Sequence, residues 1–166
     1  NISSPNTKGL RKLQGNKFFE DLIKEIKIEQ TKLNLLHDKY TPFLVKISPD
    51  VNNEDLDNIC SNILKHKVDG VIATNTSISR DKIKSNPLRN EEGGLSGKPL
   101  TELAMKTQKY IYKRLKNKIP IIGVGGIMSA DDGVDRIKNG AILIQIYSGL
   151  IFKGHHLIYE ICKRIK

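Results

Sequence analysis

The sequence has few cysteines and histidines and no long apolar run, and each shortage excludes a class of protein. No stretch approaches the roughly 18 apolar residues that a membrane-spanning helix requires. Cys60 and Cys162 lack metal-type or redox-type neighbours and fall in helix-period apolar stripes, so we expect buried thiols in a reducing compartment. The four histidines do not have the spacing of a zinc site, so the sequence predicts no metal centre.

We also expect no secretory leader. The chain begins on Asn1 with neither a basic n-region nor an apolar h-region. Because the first residue is not Met, we expect the chain to be a fragment or a processed product.

The charge of the chain is strongly positive, at a formal +10, while aromatic residues make up only 5 %. No basic block is interleaved with aromatic residues, so no nucleic-acid partner is predicted. Two interpretations stay open: a solvated basic surface, or a surface that favours anionic substrates or anionic lipid headgroups. Much of the excess lies on polar helix faces, at Lys24, Lys27, Lys106, Lys109 and Lys113.

Short apolar runs alternate along the chain with segments of helical period. The runs are continuous, which is typical of strands buried on both faces of a parallel sheet. These predicted strands cover 43–47, 71–74, 121–124 and 142–147. Predicted helices carry apolar stripes within 16–36, 56–64, 100–111 and 157–165. Asn52 and Ser129 each precede an acidic residue by three positions, the spacing of a helix N-cap, and Asn139-Gly140 is a helix stop.

The alternation of strands and helices predicts an α/β protein with parallel strands. An open dinucleotide-binding sheet loses support, because no GxGxxG follows a first strand. Polar and glycine residues follow each strand instead, where a (β/α)8 barrel of about 250 residues carries its active site. Four strands and a strand end at residues 1–3 would leave open sheet edges. We therefore predict that residues 1–166 are one partial domain, about the C-terminal half of a (β/α)8 TIM barrel.

Glycines after the third predicted strand indicate a phosphate site. Gly125-Gly126 stands between a buried strand and a capped helix, where backbone N–H groups stabilise a phosphate charge. Residues 147–149 follow the next strand with further backbone donors, and the two strand ends together suit the terminal phosphate of a flavin nucleotide. The alternatives are a tight turn for the glycine pair and a plain helix-entry loop for GGLSGKPL (93–100).

Lys46 interrupts an otherwise apolar strand, where an unpaired charge is costly. Either carboxylates neutralise it, or it lies beside an electron-accepting ring and stabilises the negative charge that arrives with a hydride. TNTS (74–77) and NISSPNT (1–7) supply amides and hydroxyls without a carboxylate, which suits a small planar substrate rich in carbonyl, N–H and carboxylate groups. Turn and strand-end chemistry is the alternative for both motifs.

Six motifs in register carry a family resemblance over essentially the whole chain. The motifs are NISSPNTKGLRKLQ, LVKISPD, DGVIATNTS, GGLSGKPL, IPIIGVGGI and ILIQIYSGLIFKG. On these motifs the sequence resembles the dihydroorotate dehydrogenases of the membrane-associated class 2 type, and the segment YSGLIFKG is similar to the bacterial branch.

The resemblance implies a role for each of several residues. Ser4 resembles the catalytic base that removes the C5 proton of dihydroorotate while hydride passes from C6 to flavin N5. The positions that resemble substrate ligands are Asn1, Asn6, Asn75 and Thr76. The positions that resemble flavin contacts are Asn1, Lys46, Thr74, Gly97, Gly126, Tyr147 and Ser148.

The same resemblance implies FMN as the cofactor and the oxidation of dihydroorotate to orotate in pyrimidine (UMP) biosynthesis. Serine rather than cysteine at the base position resembles the type that passes electrons to a membrane quinone. That type implies peripheral association, through helices N-terminal to the barrel, with the cytoplasmic face of a bacterial inner membrane or with a mitochondrial inner membrane. The alternatives are a soluble-class FMN barrel with fumarate or NAD as acceptor, and an inactive barrel fragment. For the 166-residue piece alone we expect no turnover.

Overall fold

Parallel strands alternate with helices along the chain, as predicted. The computed structural model describes residues 2–4 and 16–165. The helices and strands are, in order, α1 (Asn16–His37), β1 (Leu44–Ile47), α2 (Asn53–Lys65), β2 (Gly70–Ala73), α3 (Thr101–Leu115), β3 (Ile121–Val124), α4 (Ala130–Lys138), β4 (Leu143–Gln145), α5 (Ser148–Lys153) and α6 (His156–Ile165). Two short 3-10 turns, Asp81–Ile83 and Lys98–Leu100, lie between β2 and α3.

The four strands form one sheet in the order β1-β2-β3-β4, with every pair parallel. One face of the sheet packs against α1, α2 and α3 in the main hydrophobic core. This face carries Val45, Ile47, Val71, Ala73 and Ile121. The opposite face is only half-buried at Lys46, Ile72 and Ile122, which are in register across the first three strands. The prediction of strands buried on both faces is therefore wrong for this second face.

Two predicted helix caps are present and fix where the helices begin. The Asn52 side chain accepts a hydrogen bond from the Asp55 N–H at 2.9 Å, and Ser129 Oγ accepts one from the Asp132 N–H at 3.2 Å. Each cap satisfies one N–H group that the first turn leaves without a helical partner. After α4 the chain reverses at Gly140, whose φ of 92° favours glycine.

The last predicted strand is shorter and less buried than expected. β4 ends at Gln145 instead of continuing to Tyr147, and Ser148 already begins α5. Leu143 is 58 % exposed, because β4 is an edge strand and no element of the described residues covers that side chain. A continuous apolar run thus located the strand but overstated its burial. Ile2 and Ser3 are not in a strand, so the strand end predicted for residues 1–3 is wrong in its described part.

The C-terminal helix packs through a narrower stripe than predicted. Leu157 and Ile161 of α6 are buried against α4, where Gly133 makes room: a Cβ there would lie 2.9 Å from the Ile161 side chain. Cys162 and Ile158 are exposed, because only one side of α6 meets a partner in the described part of the chain. The expectation of a buried Cys162 is therefore wrong.

None of the helices within residues 2–4 and 16–165 combines the length and the apolar character needed to cross a membrane. The same ranges contain no group of three or more His, Cys, Asp or Glu side chains placed to hold a metal ion.

The two cysteines are expected to differ sharply in reactivity. Burial raises the pKa of the Cys60 thiol to about 12, and the Asp57 carboxylate adds to the effect. Because the thiolate is the reactive form, iodoacetamide at pH 8 should alkylate Cys162 in the native protein and Cys60 only in denaturant, as peptide mass spectrometry would show. Equal labelling of both thiols in the native state would contradict this prediction.

The raised pKa of Cys60 also makes the free energy of unfolding depend on pH. Folding favours the protonated thiol, so this contribution is fully present below about pH 9 and is lost as pH rises toward 12. Chemical denaturation of wild type and Cys60→Ser across this range would measure it. The wild-type free energy of unfolding should fall more steeply with pH than that of the variant.

Candidate functional site

One cavity at the carboxyl edge of the sheet is lined by residues from all four strands or from the turns that follow them. β1 contributes Lys46 from within the strand, and the other three strands contribute residues of the turns after them. The cavity has a volume of about 250 Å3, slightly below the usual range for small-molecule sites. The entry to α3 closes one side of it through Ser96, Gly97 and Leu100. Of the predicted site residues, the cavity wall contains Lys46, Thr74, Asn75, Thr76, Gly97, Gly126, Tyr147 and Ser148.

Lys46 reaches this cavity from the half-buried face of β1. Its strand neighbours Val45 and Ile47 point to the buried core on the opposite face, because side chains alternate along a strand. Among the residues that the structure describes, no carboxylate lies within ion-pair distance of the Lys46 ammonium group. The alternative of a lysine neutralised by protein carboxylates therefore has no support in these ranges.

The segment after β2 is hydrogen-bonded to both neighbouring strands. Thr74 N–H donates to the Val124 carbonyl at 2.8 Å and Asn75 N–H donates to the Ile47 carbonyl at 2.8 Å. The Asn75 side-chain oxygen accepts from the Thr76 N–H at 2.8 Å. The peptide bond between Ala73 and Thr74 is cis. These contacts tie the polar segment to both neighbouring strands and orient its amides in the cavity wall.

The Asn75 amide also joins the N-terminal motif to the cavity. Its Nδ2 donates to Ser3 Oγ at 2.9 Å, and Ser3 is buried. Ser4 is buried beside it, although it is not itself part of the cavity wall. Asn1 and Asn6, the other predicted residues of this motif, lie outside the described residues. The structure therefore brings Ser3, in the described part of the NISSPNT motif, next to the TNT segment.

The turn after β3 requires glycine at two positions. Gly125 and Gly126 have φ of 104° and 70°, a region that side chains rarely adopt. A Cβ on Gly126 would lie 2.4 Å from the backbone nitrogen of Thr101, and Thr101 Oγ1 donates to the Gly126 carbonyl at 2.6 Å. The turn therefore lies directly against the start of α3, on the wall of the cavity.

The turn after β4 and the loop before α3 meet in the wall of the cavity. Ser148 Oγ donates to Ser96 Oγ at 3.1 Å, beside Gly97 with its φ of 68°. Tyr147 is 77 % exposed, so its ring lines the open side. The predicted site residues Gly97, Tyr147 and Ser148 thus lie in one cavity wall. Tyr147 and Ser148, however, lie at the start of α5 and not at the end of β4.

Sequence reasoning missed two buried polar residues behind the glycine turn. Arg136 on α4 and Gln108 on α3 are 1 % and 0 % exposed and are hydrogen-bonded to each other at 3.0 Å. For Arg136 the only signal in the sequence is its position. It lies three residues after Gly133, on the face of α4 that packs inward.

Comparisons with known proteins agree with this arrangement. Residues 1–166 match the family model of dihydroorotate dehydrogenase. Curated relatives named dihydroorotate dehydrogenase (quinone), from Wigglesworthia glossinidia brevipalpis and Shewanella baltica, are 53 % and 51 % identical over 163 and 161 residues. The alignments cover 98 % and 97 % of this chain and 48 % of each relative. The chain thus spans about half the length of the curated relatives it matches.

Two solved structures of DHODH from Eimeria tenella, one in complex with ferulenol and one ligand-free, superpose on the chain with a TM-score of 0.91 at 32 % identity. They cover 98 % and 99 % of this chain, which corresponds to 47 % and 49 % of those chains. The four-stranded sheet has the architecture of about half of their TIM barrel, so the predicted fold class is confirmed. The family model and the close relatives together show that this chain belongs to the dihydroorotate dehydrogenase family.

Proposed function

We propose that this chain is the C-terminal half of an FMN-binding TIM-barrel domain that oxidises (S)-dihydroorotate to orotate in pyrimidine (UMP) biosynthesis. One observation carries the proposal: in a chain of this family, Lys46 of β1 and the turns after the other three strands converge on one cavity. The polar groups of that cavity are a cation, amides, hydroxyls and a glycine turn, which suit a flavin nucleotide and a planar, carboxylate-bearing substrate.

The residues present fit FMN in two respects. Family membership implies a flavin, and the glycine turn in the cavity wall offers backbone N–H groups to a phosphate. Lys46 supplies a cation to the cavity wall, and no carboxylate of the described residues forms an ion pair with it. When bound, the flavin accepts a hydride from the substrate and passes electrons onward. We assign the flavin contacts to Asn1, Lys46, Thr74, Gly97, Gly126, Tyr147 and Ser148.

Ser4 takes the proton in this proposal. Its Oγ accepts the C5 proton of dihydroorotate while the C6–H bond gives up its hydride, so a C5–C6 double bond forms. A serine hydroxyl is a poor base at neutral pH. Ser4 is buried, so the proton that it takes must pass onward to another group. This role is supported by the position of Ser4 next to Ser3, which the Asn75 amide ties to the cavity wall.

Substrate orientation falls to the amides and hydroxyls of the two polar segments, Asn1, Asn6, Asn75 and Thr76. Both ends of the Asn75 amide are engaged, the nitrogen by Ser3 Oγ and the oxygen by the Thr76 N–H. A fixed amide loses little freedom when a ligand binds, so it contributes to orientation at low entropic cost. Lys46 stabilises the negative charge that accumulates near the reacting ring.

A membrane quinone is the proposed electron acceptor. Serine at the base position and the name shared by the curated relatives both support this acceptor over fumarate or NAD. We place the protein peripherally on the cytoplasmic face of a bacterial inner membrane, with a mitochondrial inner membrane as the alternative. The formal charge of +10 fits a surface rich in anionic lipids.

The test uses the full-length product of the gene that encodes this chain. Its purified form should show a flavin spectrum that dihydroorotate bleaches under anaerobic conditions and that a quinone restores. Absence of bleaching by dihydroorotate would overturn the proposed reaction. Restoration by fumarate or NAD, with no response to quinone, would overturn the proposed acceptor and favour a soluble class.

The 166-residue chain on its own is expected to show no turnover in the same assay. It spans about half the length of its relatives, the sheet of its described residues ends at β1 and β4 without a further strand, and its cavity is small for a flavin and a substrate together. The measurement is dihydroorotate-dependent quinone reduction with added FMN, next to the full-length protein at equal concentration. Turnover by the isolated chain would contradict the assignment of residues 1–166 as half of the catalytic domain.

A further inference from the structure

Arg136 is a buried guanidinium that the proposed reaction leaves unused. It is 1 % exposed; Nη1 donates to Gln108 Oε1 at 3.0 Å and Nη2 donates to the Gly125 carbonyl at 2.5 Å. Both acceptors are uncharged, and no carboxylate in residues 2–4 and 16–165 is within ion-pair distance of the guanidinium. A buried cation without an anion in contact is costly, so its retention calls for a counter-charge.

Asp132, the carboxylate whose charge acts on Arg136, is already engaged elsewhere. Asp132 accepts from the Met128 N–H at 3.0 Å, and its other oxygen lies 3.3 Å from the Lys98 ammonium group. Burial lowers the pKa of Arg136 to about 10, and the attraction of Asp132 offsets only part of that effect. Arg136 therefore keeps its positive charge at neutral pH without a carboxylate in contact among the described residues.

Gln108 fixes the orientation of the buried arginine. Its Nε2 donates to the Arg136 carbonyl at 2.8 Å and to the Asn139 carbonyl at 3.1 Å. These bonds turn the side-chain oxygen of Gln108, and not its amide hydrogens, toward the guanidinium. The arginine is thus held at both ends, and its second amino group is directed at the glycine turn.

The contacts behind the turn decide which way its peptide N–H groups point. Arg136 holds the Gly125 carbonyl, and Thr101 holds the Gly126 carbonyl at 2.6 Å. In a trans peptide the C=O of one residue and the N–H of the next point in opposite directions, and both peptides here are trans. The N–H groups of Gly126 and Ile127 therefore point away from Arg136 and Thr101.

These two N–H groups have no protein acceptor among the described residues, and both residues line the cavity. A buried N–H without a partner is rare, so the pair marks a place for an acceptor from outside the chain. A donor that binds a peptide carbonyl also polarises the N–H of the same peptide, because hydrogen bonds in series strengthen each other. The charge of Arg136 is thus felt at the Gly126 N–H.

We propose that Arg136 is a positioning residue for a phosphate-binding turn. It holds the Gly125 carbonyl so that the Gly126 N–H faces the phosphate of the flavin nucleotide, and its buried charge is offset by that phosphate. The inference rests on the proposed function, because it takes FMN as the ligand of the cavity. It adds a residue that does not line the cavity and that acts through the peptide between Gly125 and Gly126 and through its charge.

The test compares FMN with riboflavin, which has the same ring system and no phosphate. Full-length protein stripped of flavin is titrated with each ligand, and binding is followed by flavin fluorescence. Arg136→Met should weaken FMN binding by about tenfold or more, as loss of a charge-assisted contact predicts. Riboflavin binding should change by less than about threefold, because the ring makes no use of Arg136. Lys138→Met is the matched control, since it removes one positive charge from the exposed face of the same helix.

Two conservative variants separate charge from hydrogen bonding and keep the test decisive if Arg136→Met does not fold. Arg136→Lys keeps the charge and should retain most of the preference for FMN, whereas Arg136→Gln keeps a donor without charge and should lose much of it. Parallel weakening of FMN and riboflavin, or a wild-type preference for FMN in both variants, would overturn the inference. A wild-type protein that binds no flavin, or binds both flavins equally, would instead overturn the FMN assignment and, with it, this inference.

Discussion

Replacement of Ser4 with alanine in the full-length protein is expected to slow flavin reduction by dihydroorotate by about 10²–10⁴-fold, the usual contribution of a general base. Ser4 is buried beside Ser3, so bulk water does not readily substitute for its hydroxyl. Substrate affinity should change little, because the proton is taken only as the reaction proceeds. The measurement is anaerobic stopped-flow bleaching of the flavin at saturating dihydroorotate.

Two further serine variants sharpen this experiment. Ser61→Ala removes a hydroxyl that donates to the Asp57 carbonyl on the exposed side of α2, and it should leave the rate unchanged. Ser4→Cys should restore part of the rate, with the rate increasing toward the thiol pKa of roughly 8.5 because the thiolate is the stronger base. A wild-type rate in Ser4→Ala would exclude Ser4 as the base.

Gly126→Ala is expected to abolish flavin binding and to lower the free energy of unfolding. The new Cβ would lie 2.4 Å from the Thr101 nitrogen and 2.5 Å from its Cα, both backbone atoms that cannot move aside. The positive φ of 70° adds strain of about 1–3 kcal/mol, and overpacking adds about 1–3 kcal/mol. Urea denaturation and flavin titration of the same preparation would measure the two effects.

Gly154→Ala is the matched control for this variant. Gly154 has a φ of 66°, but a Cβ there has no neighbour within 4 Å, so the substitution brings backbone strain without a clash. It should lower stability by about 1–3 kcal/mol and leave flavin affinity unchanged. Equal flavin affinity in the Gly126 and Gly154 variants would contradict the placement of the Gly125-Gly126 turn at the cofactor.

The strands and the polar strand ends were predictable because both follow from local sequence. β3 coincides with its apolar run, β1 begins one residue later than its run, and β2 begins and ends one residue earlier than its run. The carboxyl ends of parallel strands share one edge of the sheet, so residues as distant as Lys46 and Ser148 could be placed together without coordinates. The glycine turn was identified for the same reason.

The burial of individual side chains was less predictable, because it depends on which element packs against them, and the local sequence pattern does not reveal that element. The run at 142–147 and the stripe of α6 are apolar, but whether Leu143 or Cys162 is covered depends on which element lies opposite. Arg136 belongs to an amphipathic helix with charged neighbours, and nothing local marks its guanidinium as buried. The contacts of Asn1 and Asn6 stay predictions, because these residues lie outside the described ranges.

The order β1-β2-β3-β4 has a consequence for how this half of the barrel is made. Each strand pairs with the one synthesised before it, so every new strand meets an edge that has already left the ribosome. No pairing in the sheet has to wait for a strand further along, and the helix between two strands forms from local contacts while the next strand is still being made. The sheet can therefore grow in one direction during translation, with β4 as the last edge to be completed.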